Sequence, residues 1–267
     1  MSIPFHVSPY WDDFEIPGPD ELSPKEKYNR ILFRPGKAVQ ARELTQLQSS
    51  LQNQISSIGD HIFKEGSSVA GEILVHNEID YLKITTTTAD VTDFIGVTLT
   101  DGTNTAKVLH AEAIDGTDPV TLYVKYLSGA KYTAASTVTG TGIDVSDITA
   151  VGYGCIATIA NGVYYLRKNF VTVKAKTIVV EKYDTNPTID LGLFMTEKII
   201  NSADDSTIDD NATGTPNESA PGAHRYKISA TFATRASDST TGDFVLLIRL
   251  NEGAVIKDNR PTEYSKI

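Results

Sequence analysis

Apolar residues along this chain follow two different rhythms, and the change between them comes near residue 66. Leu44, Leu47, Leu51, Ile55, Ile58 and Ile62 recur at spacings of 3, 4, 4, 3 and 4. At about 100° per residue these six side chains stay within an arc of roughly 80°. The pattern predicts a helix within 38–66 that carries one narrow apolar stripe. Such a stripe needs a covering surface, because burying each Leu or Ile contributes on the order of 1.5–3 kcal/mol before chain entropy is counted.

Beyond Gly66, short segments dense in Val, Ile, Thr and Tyr are separated by Gly, Asp, Asn and Ser, which predicts strands and turns. CIATIA, Asn161-Gly162 and VYYLRKNFVTVKAKTIVV predict a hairpin, since both turn residues tolerate the positive φ of a type I′ turn. FVLLIRL and NEGAVI predict a second one around Asn251, Glu252 and Gly253. RYKISATFA alternates Tyr226, Ile228, Ala230 and Phe232 with Lys227, Ser229, Thr231 and Ala233, so one of its faces is expected to be buried. Asp-Gly turns at 101–102 and 115–116 punctuate a small β subdomain over 91–150, and its TAASTVTGTGIDVSD stretch reads as a flexible loop. Residues 201–222 are polar and read as a long loop that orders on a partner.

Six prolines and six aromatic residues, Tyr10, Trp11 and Phe33 among them, lie within 1–37. Prolines at this density favour an extended path, so the segment reads as an arm lying on its own domain or on a neighbouring chain. The expected fold is mainly β with one long N-terminal α-helix, as several small antiparallel sandwich or barrel-like units preceded by that arm. The expected divisions are an arm at 1–37, a helix with an assembly role at 38–66, a main β domain at 67–90 and 151–267, and an inserted subdomain at 91–150.

The formal net charge of −10 and a pI near 5.0 speak against a nucleic-acid groove, which needs clustered Lys and Arg. No apolar run approaches the roughly 18 residues of a membrane helix, and no basic segment with a following apolar run marks a signal peptide. Neither nucleic acid nor membrane is therefore an expected partner. The single Cys155 excludes an intrachain disulfide and a multi-cysteine zinc site.

Signals for chemistry are weak. Gly152-Tyr-Gly154-Cys-Ile-Ala157 matches G-x-G-x-x-A in letters, yet it leads into a strand pattern where a dinucleotide loop must open a helix. The five histidines are scattered; His61 and Glu65, four apart, read as an ion pair at the helix end before they read as metal ligands. Cys155 lies in an apolar strand, where a free cysteine is usually a small buried hydrophobe and a nucleophile would need a nearby histidine. Asp204, Asp205, Asp209 and Asp210 sit in a polar loop rather than an apolar cleft. The sequence assigns no catalytic, cofactor-binding or metal residues, and the chain is expected not to be an enzyme.

The helix carries a further clue in what it lacks: residues 44–59 contain no Lys, Arg, Asp or Glu. Its back is Gln46, Gln48, Ser49, Ser50, Gln52, Asn53, Gln54, Ser56 and Ser57, side chains that contact protein at lower desolvation cost than charges do. That face is expected to meet another protein. The expected assembly interface comprises Tyr10, Trp11, Arg30, Phe33, Arg34, Arg42, Gln46, Gln48, Gln52 and Gln54, with the three arginines anchoring arm and helix start to carboxylates or backbone carbonyls.

The run from Phe33 to Gln48 (FRPGKAVQARELTQLQ) and the run from Gly59 to Gly66 (GDHIFKEG) resemble the opening and closing blocks of the N-terminal helix in a family of virion proteins from contractile-tailed phages, notably cyanophages. TDFIGVTLTDG with VTLYVKYLSG, ANGVYYLRKNFVTVKAKTIVVEKY and NATGTPNESAPGAHRYKISATF look like further blocks in family order, so the likeness covers most of the chain. It implies a non-enzymatic structural component of a baseplate or tail-fibre attachment site, made in the host cytoplasm and located in the virion. The implied partners are other tail or baseplate subunits and further copies of the chain, a trimer being one arrangement. The alternative is a tail-fibre module that binds host glycans through Tyr123, Tyr126 and Tyr132, whose plainer reading is strand packing. A glycan-cleaving enzyme is the third class, and it needs two carboxylates about 5–9.5 Å apart on one groove.

Overall fold

The predicted helix forms as α1, Ala41–Ile62, in a computed structural model that describes residues 10, 29–85, 90–141 and 143–261, with only the strand path at 143–145. The Pro35-Gly36 turn precedes it, closed by the Lys37 N–H donating to Arg34 O at 3.2 Å. The first turn is then capped from inside, with the Gln40 N–H donating to Glu43 Oε2 at 2.8 Å.

Fourteen strands follow among the described residues: β1 (Ser68–Ala70), β2 (Ile73–Ile84), β3 (Thr98–Thr100), β4 (Thr105–Glu112), β5 (Val120–Ser128), β6 (Thr137–Gly140) and β7 (Ile143–Ile159). The second half holds β8 (Gly162–Leu166), β9 (Asn169–Val173), β10 (Lys176–Glu181), β11 (Ile189–Ile200), β12 (Arg225–Arg235), β13 (Phe244–Asn251) and β14 (Ala254–Asp258). They build a three-stranded sheet β1-β8-β9, a seven-stranded sheet β10-β7-β2-β5-β4-β3-β6 and a four-stranded sheet β12-β11-β13-β14. Every strand pairing among the described residues is antiparallel. The protein is mainly β with one long N-terminal helix.

Two main apolar clusters fill the interior. The first lies where the three sheets meet, from Ile73 on β2 and Ile159 on β7 to Leu193 on β11, Phe232 on β12 and Leu247 on β13. The second gathers Leu82, Ile84, Phe94, Leu99, Leu122, Tyr132, Val138 and Ile148. Strands β2 and β7 run through both, so the division drawn at 150/151 falls inside β7.

Three local expectations are corrected. Asn161-Gly162 is not a hairpin turn: β7 pairs with β2 and β10, whereas β8 pairs with β1 and β9, so the chain crosses here between two sheets. Glycine is required at 162 for close approach, because a Cβ there would stand 2.3 Å from Ala70 O. The tight turn lies five residues on, at Arg167-Lys168, with φ of 49° and 62°. The stretch read as a flexible loop forms β6 and the start of β7, with Val138 buried and the Thr137 hydroxyl donating to Asp147 Oδ1 at 2.7 Å. Residues 201–222 do form a loop, but they are stitched by their own groups: Asp205 Oδ1 accepts from the Thr207 N–H at 3.0 Å, and the Asp210 N–H donates to Ala220 O at 2.9 Å.

The hairpin at Glu252-Gly253 forms as expected, with φ of 47° and 75° and Asn251 paired to Ala254. On β12 the buried face fades along the strand, from Phe232 at 1% exposure to Tyr226 at 38%. Cys155 is fully buried, and burial, followed by the nearby Glu181 and Asp184 charges, pushes its thiol up to about 12. A thiol reagent such as dithiobis(nitrobenzoate), applied at about pH 8, is expected to leave the native protein untouched. One equivalent should react after unfolding in guanidinium, and rapid native labelling would contradict the burial.

Candidate assembly surface

Helix α1 lies on the body with the face opposite to the one its apolar pattern suggests. Ser50, Ser56 and Gly59 are its buried residues, and Thr45, Gln46, Ser49 and Asn53 beside them are half-buried. Four of the six stripe residues face solvent, with Leu44, Leu51, Ile55 and Ile58 50%, 53%, 54% and 63% exposed, while Leu47 and Ile62 are half-buried. The Gln/Ser face read as an outward contact is therefore in large part the face turned to the chain's own fold. Among the described residues, it is most of the Leu/Ile stripe that is left uncovered.

The reason is the clasp that holds the helix. Tyr165 on β8, 1% exposed, stands beneath Gly59, where a Cβ would come within 2.7 Å of its ring. The Tyr165 hydroxyl donates to Asp60 Oδ1 at 2.7 Å and lies 3.1 Å from Ser56 O. Burial first, and then the hydrogen bond to Asp60, raise the pKa of that hydroxyl. Phe63, Tyr165 and Phe170 form a ring cluster with centroids 5.2–5.7 Å apart. Only small residues on the helix allow this approach, so Ser and Gly lie inward and bulkier Leu and Ile stay out.

The segment after α1 is fastened to the same hairpin. The Gly66 N–H donates to Tyr165 O and the Tyr165 N–H to Ser67 O, each at 2.9 Å. Glu65 accepts the Arg167 N–H at 3.0 Å through Oε1, an interaction that takes the place of the expected ion pair with His61. Arg167 in turn reaches Glu197 at 2.6 Å and Asp243, which holds the positive-φ turn in position.

The predicted interface residues are distributed around this helix. Tyr10 is half-buried and 2.9 Å from His224 Nδ1 through its hydroxyl; Trp11 lies outside the described residues. Arg30, Phe33 and Arg34 are exposed ahead of α1, and Arg42 Nε donates to the side-chain amide oxygen Oε1 of Gln40 at 2.7 Å. Gln46 is half-buried, while Gln48, Gln52 and Gln54 are exposed. Gln48 and Gln52 line a cleft of about 160 Å³ with Tyr10, His224 and Tyr226. Gln52 also borders a groove of about 720 Å³ between β9 and β12.

Sequence reasoning missed Tyr165, Arg167 and Phe170. The available signal was the number of small residues, Ser49, Ser50, Ser56, Ser57 and Gly59, off the stripe. Tyr123 and Tyr132 are buried at 0% and 3% exposure, and Tyr126 packs on the second cluster, so the three do not form an outward glycan-binding patch. Among the described residues, no group of three or more His, Cys, Asp or Glu is placed to hold a metal ion, and no helix is long and apolar enough to cross a membrane.

A family model described as a domain of unknown function (DUF4815) matches residues 17–93 and 123–267. The chain belongs to the DUF4815 family. No curated protein and no solved structure matches it. The DUF4815 match includes α1, its uncovered stripe and the clasp on β8 and β9, so the surface described above is part of the family's own domain. The unmatched interval, 94–122, holds β3, β4 and the first residues of β5.

Proposed function

We propose that this DUF4815 chain is a non-enzymatic structural subunit of a phage tail, at the baseplate or the tail-fibre attachment site, and that it assembles through α1 and the segment leading into it. The observation that carries the assembly role is the solvent-facing Leu/Ile stripe of α1. An apolar band of this size on a helix is a candidate interaction site, because the largest apolar patch on a monomer, about 300–600 Å², is often a functional one. The tail assignment rests on the sequence blocks around Phe33–Gln48 and Gly59–Gly66. A structural role also accords with the buried carboxylate of Asp190, which is neutralised by Arg249 at 2.6 Å rather than held in an apolar cleft.

The test uses intact particles of the phage that encodes the chain. Chemical cross-linking followed by mass spectrometry is expected to join residues of 30–66 to neighbouring tail subunits. Particles that lack the chain, or that contain it without a cross-link to any other tail subunit, would overturn the reading.

A further inference from the structure

We propose that the outward stripe of α1 is a self-association seam that pairs with the same stripe on a second copy of this chain. This deepens the assembly reading above and rests on it. Its first support is the period. Leu44, Leu47 and Leu51 are followed eleven residues later by Ile55, Ile58 and Ile62, two consecutive 3-4-4 repeats. An eleven-residue repeat, at about 3.67 residues per turn, keeps a seam aligned along a gently right-handed coil of helices. A narrow stripe of this kind is the pattern of a helix that packs on helices, whereas a helix lying on a sheet shows a wider apolar face. A second copy supplies the same period automatically; an unrelated surface would have to reproduce it.

Charge points to the same occupant. Each copy carries a formal net charge of −10, so most of its surface repels another copy. From Leu44 to Gly59 the helix has no ionised side chain, and at helical spacing Gln48 and Gln54 flank the stripe on either side. Coiled helices usually place at these flanks the charges that select a partner. Amides there let two acidic chains approach without repulsion and can hydrogen-bond across the seam.

Area sets how much of the chain takes part. A helix of 22 residues is about 33 Å long, and a band about 10 Å wide along it falls short of the roughly 800 Å² per partner of a stable interface. Leu32, Phe33 and Val39, exposed at 75%, 49% and 55% in the segment just ahead of α1 in sequence, are the apolar side chains that the proposal adds to the seam. The seam therefore includes the segment that leads into the helix.

Sedimentation velocity on the purified full chain at micromolar concentration tests the proposal. Wild type is expected at two or more times the 29.0 kDa of one chain. Ile58→Lys alone, and Leu51→Gln with Ile55→Gln and Ile58→Gln together, are expected to sediment as single chains. Because these side chains are exposed within one copy, both variants should retain the wild-type β-sheet circular dichroism. A monomeric wild type overturns self-association, whatever covers the stripe instead, and so does an oligomer that survives in variants with the native spectrum. A monomer whose α1 still cross-links to another tail subunit in particles would remove this inference alone and leave the assembly reading standing.

Discussion

Replacing Tyr165 by alanine is expected to release α1 from the body while the sheets stay assembled. Its ring is 1% exposed, its hydroxyl holds Asp60 at 2.7 Å, and it contacts both Phe63 and Phe170. Truncating a buried aromatic residue to alanine costs about 3–5 kcal/mol, and here much of the loss falls on one docking contact. A free helix of this length is marginal in water. In an Ile58→Lys background, where self-association is removed, amides of 41–62 should lose hydrogen-exchange protection while those of β11 and β13 keep theirs. Tyr165→Phe retains the ring and loses the bond to Asp60, at about 1–2 kcal/mol, so its effect should be intermediate. Unchanged protection of α1 in the alanine variant would show that the clasp is not what holds the helix.

Asp190→Ala is expected to lower global stability more than any surface substitution. This carboxylate is fully buried on β11, at a register directly opposite Arg235 on β12 and Arg249 on β13. Arg249 donates to both carboxylate oxygens, at 2.6 and 2.8 Å, and Arg235 lies 3.6 Å away. Removing the carboxylate leaves two guanidinium groups facing each other across the strand with no anion between them. Both guanidinium groups have some access to water, with side-chain exposures of 32% and 17%, so the melting temperature is expected to fall by roughly 5 °C. Calorimetry would read the shift directly. A change below about 2 °C would mean that the arginines find other partners or water at little cost.

Much of the secondary structure was legible because it rests on local chemistry. The helix boundaries follow from the Pro35-Gly36 turn and the 3-4-4 spacing, and the Glu252-Gly253 hairpin follows from residues that tolerate positive φ. The errors came where a local signal had a non-local use. Gly162 marked a special position correctly, but the constraint is contact with Ala70 on β1, not a turn. Arg167 and Lys168 carry no turn signal, and they adopt positive φ where ion pairs to Glu197 and Asp243 hold the bend. The Thr-rich stretch at 133–147 looked like a loop because its strand, β6, is only four residues long and too short to show a period.

The candidate surface divides in the same way. The sequence by itself determined that a helix with a narrow Leu/Ile band and no charge on its central four turns stands at the head of a β-rich chain, because periodicity and side-chain type are properties of the segment alone. It also contained the eleven-residue repeat. Only the tertiary structure decided which way the band points. A hydrophobic period describes how residues are arranged around a helix axis and contains nothing about where the rest of the molecule lies. That direction is set by Tyr165, 105 residues away from Asp60, whose ring fits against glycine and serine and leaves Leu44, Leu51, Ile55 and Ile58 facing outward.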